Sequence, residues 1–207
     1  MTPPRHGRIA RAAMALPLLL LIPPLRHILE ASMLTHMLIE FPLLFIAGWL
    51  AGGWLTHHRL PAGLPAVVDA HGLLGLALAS SVGALWMIPS MLDLSLLDAS
   101  VQASKYASWT LCGLLFRSSW KRAGPVVSAF FLGNTGWMLA TAGLLYQEAQ
   151  QRLCVSYLLD EQLITGRGLV ALAILIGAFA VTCLVTPQGR VFNPRDRGPS
   201  QARAPAE

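Results

Sequence analysis

Charged side chains are scarce in this sequence. Asp, Glu, Lys and Arg make up 12% of its 207 residues, whereas a soluble domain carries about 25%. Hydrophobic residues make up 55% of the chain, and the mean hydropathy is +0.57. Too few charges remain to cover a soluble surface, so the composition excludes an ordinary soluble enzyme and a disordered protein.

Cysteine pairs and catalytic motifs are also missing. The three cysteines form no C-x-x-C pair, which excludes a metal or redox site of that type. No G-x-S-x-G, P-loop, H-E-x-x-H or glycine-rich dinucleotide motif occurs. We therefore expect a protein that is not an enzyme. The acids Asp93, Asp98, Asp160 and Glu161 are interpreted as loop charges and helix caps, not as paired catalytic carboxylates.

Long apolar runs are present, and about 20 apolar residues suffice to cross a bilayer as a helix. They predict an all-α, polytopic transmembrane helix bundle over 1–186 with a polar tail, 187–207, that is expected to be disordered. The first run is short and interrupted by prolines, and we expect a retained anchor, a cleaved signal peptide being the alternative. The six predicted spans are about 12–25, 33–56, 66–89, 99–116, 123–146 and 167–186.

The distribution of basic residues predicts the orientation. With both termini in the cytoplasm, eleven of the 15 Lys and Arg residues lie on the inner side, as the positive-inside rule requires. This topology accounts for the net charge of +5 without a nucleic-acid partner. We expect a multi-pass protein of a bacterial-type inner membrane. The four remaining basic residues, assigned to the outer side, are Arg26, Lys105, Arg152 and Arg167.

Polar residues inside the second predicted span mark a candidate metal site. Met33, His36, Met37 and Glu40 are spaced i, i+3, i+4 and i+7, so they share one helical face. Thioether and imidazole ligands suit copper, Cu(I) in particular. A structural His36–Glu40 pair, or a proton- or quinone-related role, is the alternative.

Two further methionines lie near the outer end of the third predicted span. Met87 and Met91 are spaced i, i+4 and would complete a thioether-rich site if the two helix ends meet. Pro89 interrupts this spacing, since a helix often ends before a proline. Gly48 and Gly52 form a G-x-x-x-G step that predicts close packing of the second span.

Three segments carry a resemblance to a known family. They read M-L-T-H-M-L at 33–38, W-M-I-P-S-M-L-D at 86–93, followed by C-G-L-L-F at 112–116, and D-E-Q-L-I-T-G at 160–166. In the same order, they resemble the H-M-x-x-H-M-L-L, W-H-x-P-x-x-Y-D, G-L-L-F and D-Q-Q-x-x-G motifs of CtaG-like cytochrome c oxidase assembly factors. The resemblance covers about residues 30–180. It implies a bundle of about seven helices that helps to insert copper into a haem–copper oxidase.

The sequence departs from the family at most of its histidines. Ser32, Met87, Gln102 and Tyr106 stand where the family has histidine, and His36 remains. The leading hypothesis is an inner-membrane accessory factor for oxidase maturation that holds Cu(I) transiently and contacts membrane lipid and an oxidase subunit. A metal-free scaffold of the same fold is the alternative, and a small-solute or proton transporter is a third. The hypothesised metal ligands are His36, Met33, Met37, Glu40, Met87 and Met91.

Overall fold

The computed structural model describes residues 15–58, 69 and 71–185, and these ranges are helical with short connections and no strand. The prediction of an all-α fold is confirmed for this part of the chain. Residues 15–20 are helical, and eight α-helices and one π-helical turn follow within the described residues. They are α1 (Pro23–Glu30), α2 (Met33–Thr35) with a π-helical turn at His36–Glu40, α3 (Phe41–His58), α4 (Leu73–Trp86), α5 (Pro89–Leu97), α6 (Ala99–Arg122), α7 (Pro125–Glu148) and α8 (Leu159–Val185).

Prolines and caps determine where these helices begin. Pro23, Pro89 and Pro125 each occupy the first turn of a helix, where the missing N–H costs no hydrogen bond. Asp98 precedes α6, and its carboxylate accepts hydrogen bonds from the Ser100 and Val101 amides. The prediction that acidic loop residues cap helices is therefore confirmed at Asp98.

Within the described residues, two helical stretches are long and apolar enough to cross a membrane, namely Met33–Gly53 and Leu159–Val185. A third span results if α4 and α5, which are bent by 78° against each other, are counted together. The predicted spans 99–116 and 123–146 coincide with α6 and α7, each 24 residues long but less apolar.

The predicted boundaries need correction at four spans. The first predicted span, 12–25, does not form one helix, because a turn at 21–22 separates residues 15–20 from α1. The third, 66–89, forms a helix from Leu73 to Trp86 only. The fourth, 99–116, continues as a helix to Arg122, and the sixth, 167–186, already begins as a helix at Leu159. Residues 12–14 and 66–68, like the tail 187–207, lie outside the described residues.

Small residues bring α3 and α6 into close contact, as the G-x-x-x-G step predicted. A Cβ on Gly48 would collide with the Thr110 carbonyl oxygen, and one on Gly52 would lie 2.9 Å from the Leu114 carbonyl oxygen. Gly113 of α6 lies equally close to the α3 backbone at Phe45. Alongside this pair, α7 packs against α8, and α4 packs against both α6 and α7.

The break between α4 and α5 is held by groups from later in the chain. The Tyr146 hydroxyl donates to the Met87 carbonyl oxygen at 3.1 Å, and the Cys154 thiol donates to the Pro89 carbonyl oxygen at 3.7 Å. Met87 lies just after α4, whereas Met91 lies within α5. The predicted interruption of their i, i+4 spacing is therefore confirmed, because Pro89 starts a new helix with a different direction.

Candidate functional site: a buried polar centre

Four segments of the fold converge on a cluster of buried polar side chains. We call Glu30, His36, Glu40, Lys105 and Tyr157 the buried polar centre. Glu30 ends α1, His36 and Glu40 bound the π-helical turn, Lys105 belongs to α6 and Tyr157 lies in the connection before α8. The side chains of His36, Glu40 and Lys105 are fully buried, and that of Glu30 is 6% exposed.

A break in the chain next to Glu30 sets up this convergence. The Ser32 hydroxyl caps α2 by accepting a hydrogen bond from the Thr35 amide at 3.2 Å. The Thr35 hydroxyl in turn donates to the Leu29 carbonyl oxygen at 2.6 Å, which ties α2 to α1. The π-helical turn then follows at His36–Glu40, and such turns are frequent at functional sites.

The Lys105 ammonium occupies the middle of the buried polar centre. Its Nζ lies 2.9 Å from Glu30 Oε1, 3.2 Å from Glu40 Oε1 and 2.8 Å from His36 Nε2. A buried ammonium is costly without partners of opposite charge. The two carboxylates supply the opposite charge, and the imidazole nitrogen accepts a hydrogen bond. Lys105 therefore joins α6 to α1 and to the π-helical turn.

Hydrogen bonds around Tyr157 determine which nitrogen of His36 carries the proton. The Tyr157 hydroxyl donates to the Glu30 carbonyl oxygen at 3.1 Å. It must therefore accept the hydrogen bond that joins it to His36 Nδ1 at 2.7 Å. Burial, with the nearby carboxylates of Glu30 and Glu40, raises the pKa of Tyr157, so the phenol keeps its proton. His36 Nε2 then has a free lone pair, which accepts a hydrogen bond from Lys105.

The charges in and around the centre balance. Arg26 Nε lies 3.3 Å from Glu30 Oε2, and its guanidinium also donates to Gln102 Oε1 at 2.8 Å. Gln102 in turn donates to Glu30 Oε1 at 2.9 Å. With His36 neutral, the two cations Arg26 and Lys105 match the two carboxylates.

Glu40 has the least complete hydrogen bonding in the centre. Neither of its carboxylate oxygens accepts a well-directed hydrogen bond within the described residues. Its Oε2 lies 3.4 Å from His36 Nε2. The Tyr106 hydroxyl is close to Glu40 but donates to the Leu20 carbonyl oxygen at 3.2 Å. Electrostatic attraction to Lys105 therefore holds this carboxylate.

The same residues form a group that could hold a metal ion. One ligand atom from each of Glu30, His36 and Glu40 lies within 4.8 Å of the others. Two carboxylates and an imidazole are harder donors than Cu(I) prefers, and suit a divalent ion such as zinc better. A metal would also have to displace the Lys105 ammonium, because His36 Nε2 faces it.

The six residues hypothesised to bind copper lie at one end of the bundle. His36 and Glu40 belong to the buried polar centre, while Met33 and Met37 are buried in the adjoining hydrophobic core. Met87 and Met91 pack against this core from the α4–α5 break. The structure thus brings all four methionines into one apolar cluster, but the imidazole nitrogen expected to anchor copper contacts lysine.

Sequence reasoning missed four participants in this site, and Glu30 is one of them. Lys105 was assigned to the outer side, yet its side chain is fully buried. Gln102 and Tyr157 were not recognised as site residues. A lysine within a predicted span was the available signal, because an intramembrane cation requires a partner. Tyr157 gave no such signal, since its contact with His36 spans 121 residues.

Comparison of this chain with protein-family models, with curated proteins and with solved structures found no match. The resemblance to CtaG-like factors therefore stays a prediction from the sequence.

Proposed function

We propose that this chain is a multi-pass membrane accessory protein, not an enzyme, in which a lysine ammonium takes the place of a metal ion. The observation that carries this proposal is the position of Lys105 Nζ among Glu30, His36 and Glu40. The ammonium supplies the positive charge that a bound cation would supply. The centre then serves to fix α1, the π-helical turn and α6 relative to one another.

The proposed architecture has six spans, with both termini on the inner side of a bacterial-type inner membrane. Five of the six are the two strongly apolar stretches, the bent α4–α5 pair, and α6 and α7, which contain 24 residues each. A helix of that length extends about 36 Å, which exceeds a hydrocarbon core of about 30 Å. The sixth is the first predicted span near the N-terminus, which the turn at 21–22 interrupts. The excess of Lys and Arg in the inner segments supports the orientation.

The proposed role is that of a scaffold in the maturation of a haem–copper oxidase, with an oxidase subunit as partner. The ordered resemblance of three segments to CtaG-like factors supports this role. The lost family histidines and the lysine-held centre favour the metal-free form of such a factor. Membrane lipid covers the exposed apolar faces of α7 and α8, to which Trp137 and Leu175 contribute.

A second candidate function retains the metal. The close approach of ligand atoms from Glu30, His36 and Glu40 favours it, and so do the four methionines packed beside them. In this case Lys105 would leave the centre when the ion binds. Transient copper delivery to an oxidase subunit would then remain the function.

Metal analysis separates the two candidates. The detergent-purified protein is loaded with Cu(I), or separately with Zn²⁺, under reducing conditions. The metal bound per chain is then measured for the wild type, His36→Ala, Lys105→Met and Lys105→Met/His36→Ala. The proposal is supported if the wild type binds no metal, Lys105→Met binds Zn²⁺, and the double variant loses it again. These results would mean that the Lys105 ammonium occupies the place of a metal ion. Stoichiometric copper in the wild type, lost in His36→Ala, overturns it and supports the second candidate.

Complementation tests the role in oxidase maturation. We expect membranes of a strain that lacks this chain to contain less assembled oxidase, measured from the haem spectrum. We expect His36→Ala to restore assembly once its amount is matched to the wild type by immunoblot. Normal oxidase levels in the deletion strain would contradict the proposed role.

A further inference from the structure

A polar side chain lies on the outward face of α7, in the middle of the helix. Asn134 is the tenth of the 24 residues of α7, and it is exposed. Its side-chain amide makes no hydrogen bond within the described residues. In the proposed architecture α7 crosses the membrane. A helix of this length, centred in the bilayer, holds Asn134 about 10 Å inside the hydrocarbon core.

Two hydroxyl side chains of α7 find their partners within the helix itself. The Thr135 hydroxyl donates to the Phe131 carbonyl oxygen at 2.9 Å, and the Thr141 hydroxyl donates to the Trp137 carbonyl oxygen at 2.8 Å. The Asn134 amide has two N–H donors and a carbonyl oxygen, and all three are unpaired within the described part of the chain. Because the hydrocarbon core contains no water to replace a partner, such a group is costly there. A partner from outside this chain would remove that cost.

Asn134 belongs to a row of exposed residues that follow one another along α7 at intervals of four, three, four and three. We call this row the outer stripe, and its members are Phe130, Asn134, Trp137, Thr141 and Leu144. This alternation is the heptad period of two helices that pair with each other, and it places Asn134 at an a position, where a single Asn fixes the register of the pair. Gly136 and Gly143, which approach α8 closely, lie on the other side of α7. The outer stripe therefore faces away from the rest of the bundle.

We propose that two copies of this chain pair in the membrane through the outer stripe, with their Asn134 amides hydrogen-bonded to each other. Two copies with the same orientation in one bilayer are related by a two-fold axis along its normal, so each Asn134 lies at the same depth as the other. A carboxamide both donates and accepts, and two identical amides therefore satisfy one another. The second copy takes the place of membrane lipid along the outer stripe. This pairing rests on the proposed transmembrane position of α7, but not on the role in oxidase maturation.

Resonance energy transfer between donor- and acceptor-labelled protein in phosphatidylcholine vesicles tests the pairing. Measured over a series of protein-to-lipid ratios, it gives the dissociation constant of the dimer. Asn134→Leu keeps the outer stripe apolar but removes the amide, and we expect the dissociation constant to rise about 3- to 30-fold, as for one interhelical hydrogen bond. Thr141→Val is the matched control on the same stripe, because the Thr141 hydroxyl is already bonded within α7. We expect its dissociation constant to equal that of the wild type.

Energy transfer that is strong in the wild type and in Thr141→Val and weakened in Asn134→Leu supports the pairing. A wild type that stays monomeric at every ratio, an unchanged dissociation constant in Asn134→Leu, or equal weakening in Thr141→Val would overturn it.

A cysteine at position 134 separates failure of the pairing from failure of the proposed architecture. The three native cysteines are first replaced by alanine. In that background we expect a membrane-impermeant maleimide to leave Asn134→Cys unlabelled from either side of the membrane. Val155→Cys is the positive control, because Val155 is 80% exposed and lies in the connection before α8. Labelling of Asn134→Cys would overturn both the span and the pairing, whereas a monomeric wild type with position 134 protected would overturn the pairing alone.

Discussion

Replacing Lys105 by methionine removes the ammonium but keeps an unbranched side chain of similar length. At an effective dielectric constant of about 20, charges at these separations attract by about 5–6 kcal/mol for each carboxylate. The cost of burying the ammonium offsets much of this attraction. Removing one partner of a buried ion pair typically destabilises a protein by about 3–5 kcal/mol. We therefore expect Lys105→Met to lower the free energy of unfolding by that amount, and Tm by about 6–20 °C.

Thermal unfolding in detergent, followed by tryptophan fluorescence, measures this loss. Lys121→Met is the matched control, because Lys121 lies on the same helix, α6, and is exposed. We expect the control to change Tm little. The double variant Lys105→Met/Glu40→Gln also removes a carboxylate left without its cation, so it should be more stable than Lys105→Met alone. Equal Tm values for Lys105→Met and Lys121→Met would refute the reasoning that the ammonium holds the centre together.

Three further substitutions test other parts of the structure by the same assay. Gly48→Ala places a methyl group against the Thr110 carbonyl oxygen and should lower the free energy of unfolding by about 1–3 kcal/mol. Gly133→Ala is its control, because the added methyl group meets nothing within 4 Å. Tyr157→Phe leaves a buried imidazole N–H without its acceptor and should destabilise by about 1–3 kcal/mol; an unchanged Tm would contradict the deduced tautomer. Burial alone would raise the pKa of Asp69, but hydrogen bonds from a serine hydroxyl, a helix amide and an arginine lower it overall. Its stabilising effect should therefore be present above about pH 4 and be lost as the pH falls through the folded-state pKa. The Tm difference between Asp69→Asn and the wild type should be largest near about pH 6 and should shrink as the pH is lowered.

Periodicity and composition were sufficient to predict much of the fold. Long apolar runs predicted the helices, and the G-x-x-x-G step at Gly48 predicted a close helix contact because small residues let backbones approach. The helical spacing of Met33, His36, Met37 and Glu40 predicted a buried face, and all four side chains are buried.

The partners of that face could not be predicted in the same way. Lys105 meets His36 across 69 residues and Glu30 across 75, and local spacing contains no information about contacts at such separations. The charge count assigned Lys105 to the outer side, although it lies within the predicted span 99–116, because charged residues usually flank spans. The bend at Pro89 was foreseen as a helix boundary, but its angle depends on packing against α6 and α7.

The hydrogen bonds at the break between α4 and α5 determine when, during synthesis, this part of the protein can finish folding. A broken helix within a bilayer needs partners for its freed backbone groups, since no water is present to replace them. The side chains that bond to Met87 and Pro89 lie 59 and 65 residues further along the chain. At a synthesis rate of about 5–20 residues per second, they emerge some 3–13 s later. This end of the bundle is therefore completed only after α7 and the connection that follows it have been made.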